Sequence, residues 1–156
     1  KNYLLQLLQL CIINFDEMFE VGNKCKRNGH SLHLITLCDE AGIFDAFYFL
    51  RDQLAGRGTP FLSFIYTISD KNLHPLFEQE LSILEKRLPS DLIVHILRID
   101  TTKYCFKQEL LEATINSNSF QVMKFLVFGN AEYVNYVYGV IVFLDVKEFL
   151  INSKII

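Results

Sequence analysis

From residue 31 onward the chain alternates compact apolar runs with stretches whose apolar residues recur every three or four positions. SLHLITL (31–37) is a short apolar run and predicts a strand. In IFDAFYFLRDQL (43–54), Ile43, Phe47, Leu50 and Leu54 fall on one face, which predicts a helix. Gly56 and Gly58 end it and Pro60 blocks its continuation. FLSFIYTIS (61–69) is almost continuously apolar, the pattern of a central strand covered on both faces. After the polar DKN turn (70–72), Leu73, Phe77, Leu81, Leu84 and Leu88 form the stripe of a second helix. It is expected to run from about His74 to Leu88, with Pro75 in its first turn.

The second half continues the pattern. DLIVHILRI (91–99) predicts a strand, KQELLEATI (107–115) a short helix and QVMKFLVF (121–128) a fourth strand. Residues 131–146 predict a helix with Val134, Val137, Ile141 and Leu144 on one face, and FLINSKII (149–156) a last strand. The alternation predicts an α/β fold: a five-stranded parallel sheet, doubly wound, with right-handed crossovers. Residues 1–30 stand outside it, and FEVGNKCKRNG (19–29) reads as a strand-turn piece from a preceding domain.

Composition narrows the function classes. The 156 residues suit one domain with a substantial core. A net charge of −3 gives no support to a nucleic-acid surface. YLLQLLQLCIINF (3–15) and YVNYVYGVIVFLDV (133–146) are shorter than the roughly 18–20 apolar residues a membrane span needs, so no transmembrane segment is expected. Residues 1–15 lack the basic region and cleavage site of a secretory signal. Cys11, Cys25, Cys38 and Cys105 make no CxxC spacing, and no histidine clusters with them. The expectation is no metal site, and free thiols in a reducing intracellular compartment, the mitochondrion among the candidates.

Candidate chemistry concentrates in CDEAGI (38–43), where the first strand turns into the first helix. In α/β proteins such a turn binds phosphate through glycines and a helix N-terminus. Here Asp39 and Glu40 precede Gly42. They read as a solvated acidic turn rather than a general acid and base, placed where a helix start favours negative charge. Cys38 reads as a structural thiol, because adjacent acids disfavour its thiolate. His33 and His95 sit inside apolar strands and read as core histidines. No Ser-His-Asp or metal spacing is present, so no catalytic residue is assigned.

HSLHLITLCDEAGIFDAFYFLRDQLAGRGTPFLSFIYTISDKN, followed by FEQELSIL, LIVHILRI, KQELLEATI and FLVFGNAEYV, resembles the nucleotide domain of the ferredoxin reductase superfamily. That superfamily includes cytochrome b5 reductases and the reductases of ring-hydroxylating oxygenases. The likeness covers about 31–156 and rests on the order of elements, with Gly58-Thr59-Pro60 leading the second strand. It implies a C-terminal nucleotide-domain fold. It also implies dinucleotide-binding positions at Ala41, Gly42, Ile43, Ser69, Asp70, Gly129 and Asn130. The segment 19–29 is similar to the tail of the family's flavin-binding barrel.

The motifs are degenerate. Asp39 and Glu40 replace two glycines of the first turn, and Asp45 replaces its proline. Phe128 stands at the family's cysteine, and Asn130 and Ala131 at its prolines. The family's terminal aromatic is replaced by Ile155-Ile156. Asp70 suits a free ribose hydroxyl better than a 2′-phosphate. Two functions follow as expectations. One is a non-catalytic, reductase-like domain without cofactor, serving as a structural or accessory subunit and meeting other protein subunits through 133–143. The other is an NADH-dependent flavin oxidoreductase domain whose FAD is held by a partner or missing domain. An unrelated flavodoxin-like protein would instead show the strand order 2-1-3-4-5 with a ligand at the first turn.

Overall fold

The computed structural model describes residues 32–55, 61–70, 72–99, 122–143 and 149–155. In chain order these form β1 (Leu32–Cys38), α1 (Ile43–Ala55), β2 (Phe61–Ile68), α2 (Glu78–Arg87), β3 (Leu92–Arg98), β4 (Val122–Gly129), α3 (Ala131–Phe143) and β5 (Phe149–Ile155). The strands make one parallel sheet in the order β3-β2-β1-β4-β5. β1 is central: Cys38 pairs with Tyr66 of β2 on one side and with Phe128 of β4 on the other. The chain winds outward from β1 through β2 to β3, then resumes at β4, so β1 and β4 flank the topological switch point. This order is not the 2-1-3-4-5 of flavodoxin-like proteins.

Side chains alternate between the two faces of the sheet, and each face has its own core. On one face Leu34, Cys38, Phe64, Tyr66, Leu126 and Phe128 pack with Ile43, Ala46, Phe49 and Leu50 of α1 and Leu81 of α2. On the other, Ile35, Leu37, Ile65, Phe125 and Val127 pack with Tyr133, Val134, Val137 and Ile141 of α3. Helices therefore cover both faces, and strands buried twice over need the continuous apolar runs seen in the sequence. Each fully buried Leu, Ile or Phe contributes about 1.5–3 kcal/mol.

The second face also holds polar pairs. His33 Nε2 lies 2.8 Å from Ser63 Oγ, and Thr67 Oγ1 lies 3.1 Å from the Tyr133 hydroxyl. Burial pulls His33 down to a pKa of about 4, so the ring is neutral at physiological pH.

The second helix begins later than the sequence suggests. His74 and Pro75 precede it in non-helical backbone, and α2 starts at Glu78. The cause is Phe77, whose φ of 60° is left-handed and cannot continue a helix. Such a conformation costs a bulky residue about 1–3 kcal/mol and persists only where contacts impose it. The Phe77 ring stacks flat on Phe47 at 4.1 Å and meets Phe44 edge-on at 5.5 Å. No described helix is long and apolar enough to cross a membrane. The expected 107–115 helix, the 1–30 segment, the Gly58-Thr59-Pro60 motif, Ile156 and Cys11, Cys25 and Cys105 lie outside the described residues.

Candidate functional site

Parallel α/β sheets bind ligands outside the carboxyl ends of their strands, at the switch point. Here that place is where the β1–α1 turn meets the β4–α3 turn. The Asp39 N–H donates to the Phe128 carbonyl at 3.2 Å, tying the two turns together. Asp39 Oδ1 accepts the Gly42 N–H at 2.9 Å, and Oδ2 accepts the Asn130 N–H at 3.1 Å. Gly42 and Asn130 are the residues that start α1 and α3: their carbonyls accept from Ala46 and Val134, each at 3.0 Å. Asn130 Oδ1 also caps α3 by accepting the Tyr133 N–H at 2.9 Å. One carboxylate thus satisfies backbone donors at the starts of two helices, where the macrodipole favours negative charge.

The two glycines let this happen. A Cβ on Gly42 would stand 2.2 Å from the Phe128 carbonyl oxygen, which is backbone and cannot move aside. A Cβ on Gly129 would stand 2.7 Å from Tyr133 Cδ1 and 2.8 Å from the Asp39 carboxyl carbon.

Glu40 acts in the same way toward β2. Its Oε1 accepts the Ser69 hydroxyl at 2.8 Å and the Asp70 N–H at 3.1 Å, and it also takes the Ser69 N–H. The backbone amides that follow β2 therefore face a carboxylate from the β1 turn. Asp70 is exposed and turns its own carboxylate back onto the Asn72 N–H at 2.8 Å.

Burial and charge set the proton affinities. Burial raises the Asp39 carboxyl above its ordinary range; the Asn130 and Gly42 amides oppose this and Glu40 adds to it. Burial pushes the Cys38 thiol well up, and Asp39 and Glu40 push it further, so Cys38 is an inert core thiol. Tyr133 is likewise held far above its usual value, first by burial. Asp39, Glu40, Thr67, Ser69, Asn130 and Tyr133 line a cleft whose cavity volume is about 20 Å³. Small-molecule sites usually run from roughly 300 to 1,000 Å³. The cleft is small and carries two carboxyl groups, Asp39 and Glu40. It offers an incoming anion repulsion, and the amides that would bind one are already engaged.

Six of the seven residues singled out as cofactor positions stand at this edge: Ala41, Gly42, Ser69, Asp70, Gly129 and Asn130. The side chain of Ile43 turns away into the core and is fully buried. Asp39 is not the solvated turn residue expected from the sequence. It is 5% exposed, because the Phe128–Gly129–Asn130 backbone closes over it. In segment 133–143, Tyr133, Val134, Val137 and Ile141 pack inward. Of its described large apolar side chains, Val142 is the well exposed one. Thr67 and Tyr133 escaped the sequence reading because each looks like an ordinary member of an apolar run. Among the described residues no group of His, Cys, Asp and Glu is arranged to hold a metal ion.

No protein-family model and no curated protein matches the chain. Solved structures do. The ferredoxin-NADP+ reductase of Plasmodium falciparum superposes with a TM-score of 0.54 at 14% identity, covering 86% of this chain and 55% of the reductase. A single-site mutant of that enzyme gives 0.58, at 14% identity over 85% and 55%. Another mutant, in complex with 2′P-AMP, gives 0.51, at 14% identity over 78% and 51%. The chain spans about half the length of the reductases it matches. At this identity the likeness establishes a shared fold: an α/β domain built on a parallel sheet, like the reductase nucleotide-binding domain.

Proposed function

We propose that this chain is a reductase-like nucleotide domain that has given up its dinucleotide and serves as a non-catalytic, structural or accessory component of a larger protein assembly. The observation that carries this reading is the pair of internal carboxylates. Asp39 takes the amides of Gly42 and Asn130, and Glu40 takes those of Ser69 and Asp70. A pyrophosphate entering the switch point would have to displace both. It would then meet them as like charges, each costing on the order of 1–4 kcal/mol at about 4 Å, depending on screening. The reading therefore includes no bound NADH and no FAD, and a scaffold kept without the site's former chemistry.

The test is the thermal melt of the purified chain titrated with NADH and with NADPH, with and without FAD. A ligand that binds only the folded state raises the melting temperature by an amount set by its affinity. The expected result is no shift at millimolar ligand. A dose-dependent rise with NADH would overturn the reading in favour of an NADH-dependent flavin oxidoreductase domain whose flavin is supplied from elsewhere.

A further inference from the structure

Among the described strands, β3 is outermost on the β2 side of the sheet. Its sequence, LIVHILR, is as apolar as that of a strand covered on both faces. Ile93, Val94, His95, Ile96 and Leu97 are nevertheless half-buried, whereas β2 is buried from Leu62 to Ile68. A long apolar edge strand is a template for pairing with another chain, and proteins that stay apart close such edges.

Backbone bonds show which way each β3 residue faces. The Asp91 carbonyl accepts the Leu62 N–H at 2.8 Å, and the Ile99 N–H donates to the Ile68 carbonyl at 2.9 Å, so both turn inward to β2. Residues alternate in this along a parallel strand, so Leu92, Val94, Ile96 and Arg98 turn outward. Helix α2 and its end meet the first two of these. The Leu92 N–H donates to the Leu88 carbonyl at 2.9 Å, and the Val94 N–H donates to Glu85 Oε1 at 2.8 Å. Glu85 is half-buried, while Glu78, Glu80, Lys86 and Arg87 of the same helix are exposed. Leu81, one turn earlier, is buried in the core and anchors α2 beside the strand. The Glu85 oxygen thus stands where a neighbouring strand's carbonyl would stand, and its charge makes it the stronger acceptor.

We propose that Glu85 guards this edge: its carboxylate holds the Val94 amide and so keeps β3 from pairing with a strand of a second copy of the chain. The edge's occupant is the protein's own side chain, seen in place at 2.8 Å. Without that bond the amide points to solvent from a half-buried apolar strand, the combination that recruits a further strand. Glu85 serves in this way whether or not a dinucleotide enters the switch point, so the nucleotide melt and the edge are read separately.

The experiment is sedimentation velocity of the full chain over a concentration series, with Val94 amide exchange measured in dilute solution. In the parent chain the Val94 amide is expected to exchange at least about tenfold more slowly than an unbonded amide. Glu85→Ala should remove that protection and produce association that grows with concentration. Glu85→Gln keeps an acceptor oxygen and should keep most of the protection and the parent's size. Adding Val94→Pro to Glu85→Ala takes away the outward donor, a change that an edge strand tolerates, and should restore the parent's size. Four results overturn the proposal: Val94 exchange at the unbonded rate in the parent, an unchanged size of Glu85→Ala, equal association of the Ala and Gln variants, or association that survives Val94→Pro. Should Glu85→Ala lose its cooperative melt, its association comes from unfolding, and the parent's Val94 exchange and the Glu85→Gln variant decide.

Discussion

Helix α1 carries two surfaces built in opposite ways. At its start, Asp39 and Glu40 are matched to five donors from three turns, two on Asp39 and three on Glu40. One turn further along, Phe44 and Tyr48 are left about half exposed. The first surface has its polar capacity consumed internally. The second holds apolar area that folding does not cover. The two surfaces share one helix and differ in whether their interactions are met within the fold.

The comparison can be broken at its tightest point. Among the described glycines, Gly42→Ala should be the most destabilising, costing about 3 kcal/mol or more, because the added carbon meets backbone at 2.2 Å. Gly139→Ala, where nothing lies within 4 Å, should instead stabilise α3 by about 0.5–1 kcal/mol. Urea denaturation of the two variants side by side checks both signs.

Acid reaches the core from the sheet's other face. His33 has a folded pKa of about 4 against an ordinary value of 6.5. The unfolded chain therefore takes up this proton first. Its contribution is fully present above about pH 6.5 and is lost as pH falls toward 4, a loss on the order of 3 kcal/mol. A stability-against-pH series should show that acid slope in the parent chain and its flattening in His33→Gln.

Asp39→Ala strips two backbone amides of their acceptor and should cost about 2–3 kcal/mol at neutral pH. Asp39→Asn keeps one acceptor and should cost less. The sign of its pH dependence is opposite to that of His33. The folded pKa of Asp39 is raised, so its stabilising term is complete below the unfolded value of about 3.9 and declines as pH rises through the folded pKa. Subtracting the Asp39→Asn curve from the parent curve isolates that decline.

The smallest effect belongs to the open surface. Phe44→Ser should change stability by no more than about 0.5–1 kcal/mol, since the side chain is 52% exposed. A larger loss by the same denaturation would mean that the aromatic contacts with Phe77 hold the fold together.

The architecture was legible in the sequence because strands buried on both faces must be continuously apolar, as FLSFIYTI is, and because Ile43 and Leu50 recur at helical spacing. The start of α2 was not, since a left-handed phenylalanine obeys contacts with Phe47 rather than local preference. The turns forming the candidate site could be named. The role of their acids could not, because Asp39 finds Asn130 at a separation of 91 residues and Glu40 finds Ser69 at 29. A carboxylate in a turn looks solvated until the chain brings donors to it from another strand.

The central claim is that the switch-point amides are occupied by the protein's own carboxylates. The most direct measurement is the amide spectrum of the isotopically labelled chain, with the Gly42, Ser69, Asp70 and Asn130 resonances followed as NADH is added. The account predicts that these four amides stay in place at millimolar NADH and move when Asp39 and Glu40 are replaced by asparagine and glutamine. Saturable shifts of the same amides with NADH in the unaltered chain would contradict it, placing a dinucleotide where Asp39 and Glu40 now sit.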